Sequence, residues 1–138
     1  MSEEVVVKEE VREEAPPPLA EMLNGLPGAP TSAQVDAWKE QHRYVFVSGF
    51  SEEELYIWRP LRRTEWKKLQ ELVTEQKLDQ YKFEEKVVEK CLLWPSLTDL
   101  GALLLDGKAG TISTLNEQIL HQSNFLPPAL AMNLVQKL

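Results

Sequence analysis

Two short runs rich in β-branched and aromatic residues, Arg43-Tyr44-Val45-Phe46-Val47 and Leu55-Tyr56-Ile57-Trp58, stand seven residues apart, and the second runs straight into Arg59-Pro60. Such runs favour extended pairing. A proline cannot donate to a ladder, so the second strand must end at Pro60 or lie at an edge. The spacing predicts a small antiparallel hairpin connected by residues 48–54. After Pro60 the period changes, and apolar side chains recur every three or four residues. The expected fold class is α+β, mainly α: a small antiparallel hairpin followed by a compact helical bundle, with a flexible N-terminal arm.

Thr64 is the expected cap of a helix over about 65–76, with Trp66, Leu69, Leu72 and Val73 on the face to be buried. A second helix over about 79–93 carries Phe83, Val87 and Cys91 four residues apart, joined by Val88 and Leu92, and stops at Trp94-Pro95. A short apolar helix around Leu100, Leu103 and Leu104 is halted at Asp106-Gly107. Another begins near Thr111, buries Ile112, Leu115 and Ile119, and ends near Asn124. Before the hairpin, Thr31 or Ser32 caps a helix through about Gln41, pinned by Val35 and Trp38.

The chain of 138 residues, 43% hydrophobic, suits one domain. Its N-terminal stretch has no apolar periodicity. Six acids against two bases fall within Met1 to Glu14, more than half of the net charge of −7, and Pro16-Pro17-Pro18 follows. Residues 1–30 are therefore expected to be an acidic, Pro-rich flexible arm carrying one short binding helix, LAEMLNGL, with Met22, Leu23 and Leu26 on one side. Residues 31–125 form the expected helical domain with its hairpin. Residues 126–138 form a helical tail in which Leu130, Leu134 and Leu138 repeat every four residues behind Pro127-Pro128.

The acidic balance opposes general binding to nucleic acid or anionic membrane. The single cysteine excludes an intrachain disulfide and a multi-thiolate metal site, the N-terminus lacks the pattern of a signal peptide, and no segment is long and apolar enough to span a bilayer. A chain that stays in the cytosol is expected.

Candidate chemistry fails on spacing or on a missing partner. His42 and His121 stand in unrelated contexts, and neither completes a nucleophile–base–orienter set. Cys91 lies on the apolar stripe of its helix, where a small buried hydrophobe is the simpler reading. Gly107-Lys108-Ala109-Gly110-Thr111 lacks the glycine spacing of a phosphate loop, and Glu52 to Glu54 lacks the alternation of a calcium loop. No enzyme, cofactor, metal or small-molecule substrate is expected.

One local charge feature remains. Arg59, Arg62, Arg63, Lys67 and Lys68, interrupted by Glu65, stand beside Trp58 and Trp66. Three readings compete: a solvated face whose basic stems cover the tryptophans, a dock for an acidic partner or the protein's own acidic arm, and a single-strand nucleic-acid groove, which the net charge disfavours. The expected partner-binding residues are Met22, Leu23, Leu26, Trp58, Arg59, Arg62, Arg63, Lys67, Leu130 and Leu134.

The order of these parts resembles a known group. Trp38-Lys39, the run Tyr56-Ile57-Trp58-Arg59-Pro60-Leu61, then Arg63-Thr64-Glu65-Trp66-Lys67, then Cys91-Leu92-Leu93-Trp94-Pro95, then Gly110-Thr111-Ile112 with Glu117-Gln118-Ile119-Leu120 are similar to small tail-assembly and baseplate-associated proteins of contractile-tailed bacteriophages, called tail assembly chaperones or baseplate hub assembly proteins. The resemblance covers about residues 35–125. It implies assembly and not catalysis, with phage tail, baseplate or other virion proteins as partners. It also implies a place in the host cytoplasm during assembly and possible retention in the virion. A stoichiometric virion component and a cellular regulatory adaptor are the alternatives.

Overall fold

The computed structural model describes residues 19–138. The acidic run and the triple proline of the expected arm lie outside the described residues. The elements run α1 (Leu19–Leu23), α2 (Ser32–His42), β1 (Phe46–Ser51), β2 (Glu54–Trp58), α3 (Arg63–Thr74), α4 (Gln80–Cys91), β3 (Leu92–Trp94), α5 (Leu97–Asp106), α6 (Thr111–Gln122) and α7 (Pro128–Met132). The class is α+β, mainly α, as the periodicity indicates.

The hairpin is present, but its first strand is displaced toward the C-terminus. Phe46 pairs with Trp58 and Val47 with Ile57, while Ser51 pairs with Glu54, so only Glu52 and Glu53 turn the chain. Phe50 is the extra residue of a bulge in this ladder, and its ring meets the edge of Tyr56 at 5.7 Å. Arg43 and Tyr44 belong instead to the exit of α2. Arg43 takes a φ of 70° there and donates its N–H to Lys39 O.

The structure adds a strand that the helical pattern conceals. The helix expected to run to Leu93 ends at Cys91, and Leu92 to Trp94 pair antiparallel with the other edge of β2. Leu92 adopts extended dihedrals although its N–H still reaches Val88 O, and Arg59 N–H donates to Cys91 O at 3.0 Å. An unpaired edge of β2 would leave its backbone groups unsatisfied inside the protein, so the edge captures the chain as the helix ends.

The order β1-β2-β3 makes β2 the central strand, buried on both faces. Tyr56 and Trp58 face the larger core, with Leu69 from α3, Val87, Val88 and Cys91 from α4, Leu100 from α5, and Leu115 and Ile119 from α6. Leu55 and Ile57 face a second cluster, built with Leu23, Met22, Leu26, Trp38, Val47 and Trp94. Two-sided burial explains why Leu55-Tyr56-Ile57-Trp58 reads as an unbroken apolar run and not as an alternation.

That second cluster changes the expected boundary of the arm. Met22, Leu23 and Leu26 are not free binding elements. Leu23 is buried, and Trp94 Nε1–H donates to Gly28 O at 3.1 Å, holding the turn after α1 against the sheet. A helix this short is unstable alone, but an apolar sheet face supplies the partner that it needs. The C-terminal helix, in contrast, closes at Met132. Leu130 is 40% exposed and Leu134 67% exposed, so the expected four-residue stripe covers no part of the core.

Candidate protein-interaction face

Arg59 and Glu65 organise the region that the sequence singles out. Backbone geometry brings them together: β2 ends before Pro60, and α3 begins at Arg63 with Glu65 in its first turn. Arg59 Nη1 and Nη2 donate to Glu65 Oε1 and Oε2 at 2.7 and 2.8 Å, a bidentate fork, and also donate to Pro60 O at 3.1 Å and Lys90 O at 2.8 Å. Glu65 Oε1 further accepts the Arg62 N–H at 2.9 Å and so caps α3, a role that spacing assigned to Thr64. Burial opposes ionisation of Glu65. The Arg59 and Arg62 hydrogen bonds overcome it and hold the carboxyl below its ordinary value.

Arg59 is therefore a structural bracket tying β2 to α3 and α4, and not a free contact for a partner. Trp58 is corrected in the same way. It is buried, stacks on Phe46 at 4.9 Å, and donates Nε1–H to Ser48 Oγ at 2.7 Å, while Ser48 donates to Gln118 Oε1. A strand buried on both faces leaves neither residue available to a second molecule.

Arg62, just before α3, and Arg63 and Lys67 on it remain exposed. Arg62 reaches back to His42, with Nη2 3.3 Å from Nδ1. Burial, with Arg59 and Arg62 nearby, lowers the His42 pKa and favours the neutral imidazole. Cys91 lies beneath Arg59. Its burial pushes the thiol up to about 12, so it remains protonated and inaccessible.

Trp66, assigned by its period to the buried face, is half-buried, and its exposed part forms a ridge. On one side an open groove of about 440 Å³ follows a single stripe of α3: Arg63, Trp66, Lys67, Gln70, Glu71 and Thr74, continuing to Glu75. On the other side a recess of about 210 Å³ is bounded by Leu61, Arg62, Arg63, Trp66, Ser123 and Phe125. Phe125 packs on the Trp66 ring at 4.3 Å and Phe83 meets it edge-on at 5.7 Å, so the indole is fixed in place. Ser123 Oγ accepts the Leu61 N–H at 2.9 Å and secures the floor of the recess.

The structure thus gathers Arg62, Arg63 and Lys67 around Trp66, and leaves Leu130 and Leu134 exposed on the C-terminal segment. It places Met22, Leu23 and Leu26 in the cluster that packs on the opposite side of the sheet. Phe125 was missed as a member of this region, and Glu65, read only as an interruption of the basic run, is the partner of Arg59. Their distances in sequence from Trp66 and Arg59 follow no helical or strand period, and only tertiary packing brings them together.

Among the described residues, no helix is long and apolar enough to cross a membrane, and no group of three or more His, Cys, Asp or Glu side chains could hold a metal ion. Searches against protein-family models, curated proteins and solved structures match nothing to this chain.

Proposed function

We propose that the chain is a non-enzymatic phage structural or assembly protein that binds a tail, baseplate or other virion protein through the α3 face and the C-terminal segment. The observation that carries this reading is the basic and aromatic surface around Trp66, rimmed by Arg63 and Lys67, and the C-terminal segment adds apolar side chains without cover. Met132, Leu134 and Val135 are all about 70% exposed. Anchoring by a fixed aromatic, with charged groups at the rim to select the partner, is how a protein-binding surface works without an activated nucleophile. The fitting partner is acidic and presents an apolar segment.

The phage setting comes from the resemblance, and the structure alters what its motifs mean. Tyr56 to Leu61 and Cys91 to Leu92 are mostly interior, so a likeness there speaks for a shared way of packing, while partner choice rests with α3 and the tail.

The test is co-purification of the N-terminally tagged full chain from cells producing phage tail and baseplate proteins, compared with the Arg63→Glu/Lys67→Glu variant and with Leu134→Asp. The wild-type chain should retain a virion protein, and the double variant should lose it at least about tenfold, as expected for the loss of central interface contacts. Equal recovery by all three chains refutes the reading. Mass spectrometry of purified particles then separates a retained virion component from a transient chaperone.

A further inference from the structure

We infer that the α3 face is self-complementary, and that two copies of this chain pair α3 against α3, antiparallel, about a two-fold axis near residues 69–70. The inference goes beyond the partner reading and rests on the geometry of α3 alone. The open groove lies between two rows of side chains, each repeating every four residues: Arg63, Lys67, Glu71 and Glu75 on one side, and Trp66, Gln70 and Thr74 on the other. Trp66 and Gln70 are half-buried and the other five are exposed, so both rows are open to a second helix.

A two-fold axis perpendicular to the helix sets each row against its own copy running the other way. In the charged row, Arg63 then faces Glu75 of the partner subunit, and Lys67 faces the partner subunit's Glu71. In the second row Trp66 faces the partner's Thr74, and Gln70 meets its own copy. The first row centres on residue 69 and the second on residue 70, so one axis serves both. Rows of this kind incline about 26° to the helix axis, and the two helices cross at about 50° when the rows align.

Within a single copy these charges are poorly placed. Arg63 and Lys67 are like charges four residues apart, as are Glu71 and Glu75, and such pairs destabilise a helix. Arg63 also sits in the first turn, at the positive end of the helix dipole, while Glu75 is the C-cap at the negative end. Among the described residues Arg63, Lys67 and Glu71 form no ion pair, and Glu75 has one with the exposed Lys77, at 2.9 Å. An antiparallel copy reverses each penalty: it sets opposite charges face to face and brings Arg63 to the negative end of the other helix. A partner that is acidic along its whole length matches only the first half of the charged row.

Two copies of net charge −7 repel at a distance. At about 0.15 M salt the Debye length is about 8 Å, which screens that repulsion more than it screens charges in contact. One helix on one helix is a small interface, so the dimer is weak and reversible, and it yields the face to a protein that adds contacts at the C-terminal segment.

The test is sedimentation equilibrium of the purified full chain at about 0.15 M salt, from about 10 μM to about 1 mM, the span in which a small interface assembles. The average mass should climb from one chain toward two and stop there, and 1 M salt should weaken the association at least about threefold. Arg63→Glu/Lys67→Glu and Glu71→Lys/Glu75→Lys should each weaken it at least about tenfold, and an equimolar mixture of the two should recover a mixed dimer, which misfolded variants could not form. Register is read by crosslinking. Under mild oxidation Gln70→Cys, at the axis, should join two chains, whereas Arg63→Cys should not, because its two copies stand about 20 Å apart at the helical rise, beyond the reach of a disulfide. Cys91 is buried and takes no part.

A wild-type chain that stays monomeric through this range overturns the inference and leaves the groove to a different protein. Association that ignores both charge reversals also overturns it, and its loss with Leu134→Asp would assign self-association to the C-terminal segment. A mixture of the two variants that fails to associate, or equal crosslinking at 63 and 70, refutes the antiparallel pairing. No virion protein takes part in these measurements. A monomer with intact co-purification overturns only this inference, and a dimer without co-purification overturns only the partner reading.

Discussion

Replacing Glu65 with glutamine should destabilise the domain more than any other single charge removal on α3. The substitution preserves shape and removes the negative charge facing Arg59. The guanidinium keeps its bonds to Pro60 O and Lys90 O, but one arm of the fork meets an amide N–H₂ and the charge is left uncompensated. Breaking a fully buried pair in this way costs about 3–5 kcal/mol. The Arg59 and Glu65 side chains are 11% and 21% exposed, so some water remains to screen the orphaned charge, and about 2–3 kcal/mol is the discounted expectation. For a domain near 120 residues that corresponds to a fall in Tm of about 8–12 °C. The assay is urea unfolding followed by tryptophan fluorescence at pH 7, with exposed Glu71→Gln as control, which should stay within about 0.5 kcal/mol of wild type. The pH dependence supplies an independent check. The folded-state pKa of Glu65 is depressed, so its contribution is present above the unfolded value and is lost as pH falls through the folded one. The gap between wild type and Glu65→Gln should therefore begin to close below about pH 4, near the unfolded carboxylate value, and close fully only once pH has passed the depressed folded-state value. A Glu65→Gln protein as stable as wild type at pH 7, or a gap that widens on acidification, refutes the bracket.

Two further outcomes follow from the packing. Ser48→Ala strips the acceptor from Trp58 Nε1 and leaves it buried, so calorimetry or urea unfolding should show a loss of about 1–3 kcal/mol with little change in secondary structure. Leu23→Ala should cost about 2–4 kcal/mol and speed hydrogen exchange at 19–30, whereas Leu134→Ala, at an exposed site, should leave stability within about 0.5 kcal/mol; equal effects would mean that α1 does not belong to the second core.

Much of the fold was legible from local pattern. Val87, Val88 and Cys91 stand at helical spacing and are fully buried, and Leu115 and Ile119 do the same in α6. These faces follow from period alone, because a helix with one apolar stripe must bury it. Asp79, whose carboxylate accepts the Lys82 N–H at 2.8 Å, starts α4 where the pattern begins. The position of the strands was harder to read. Bulging at Phe50 moved the turn to Glu52-Glu53, and β3 was hidden inside a run that a helix could also have used.

The candidate site divides in the same way. Arg63 and Lys67 could be named from the sequence because exposed charges on one helix stripe stay where their spacing puts them, and Arg62 because it stands at the start of that helix. Trp58 and Arg59 could not be assigned correctly from neighbouring residues, since their fate depends on β3 and on Glu65.

The sequence by itself determined the class, the helical faces and the charge division between an acidic arm and a nearly balanced domain, since these depend on composition and on spacing within one element. Only the tertiary structure decided that β2 lies at the centre, that Leu23 belongs to a second core and that Arg59 is spent on Glu65. Each of those outcomes joins residues whose separation in the chain carries no period, and burial and hydrogen-bond satisfaction select among such pairings only once the whole chain is packed.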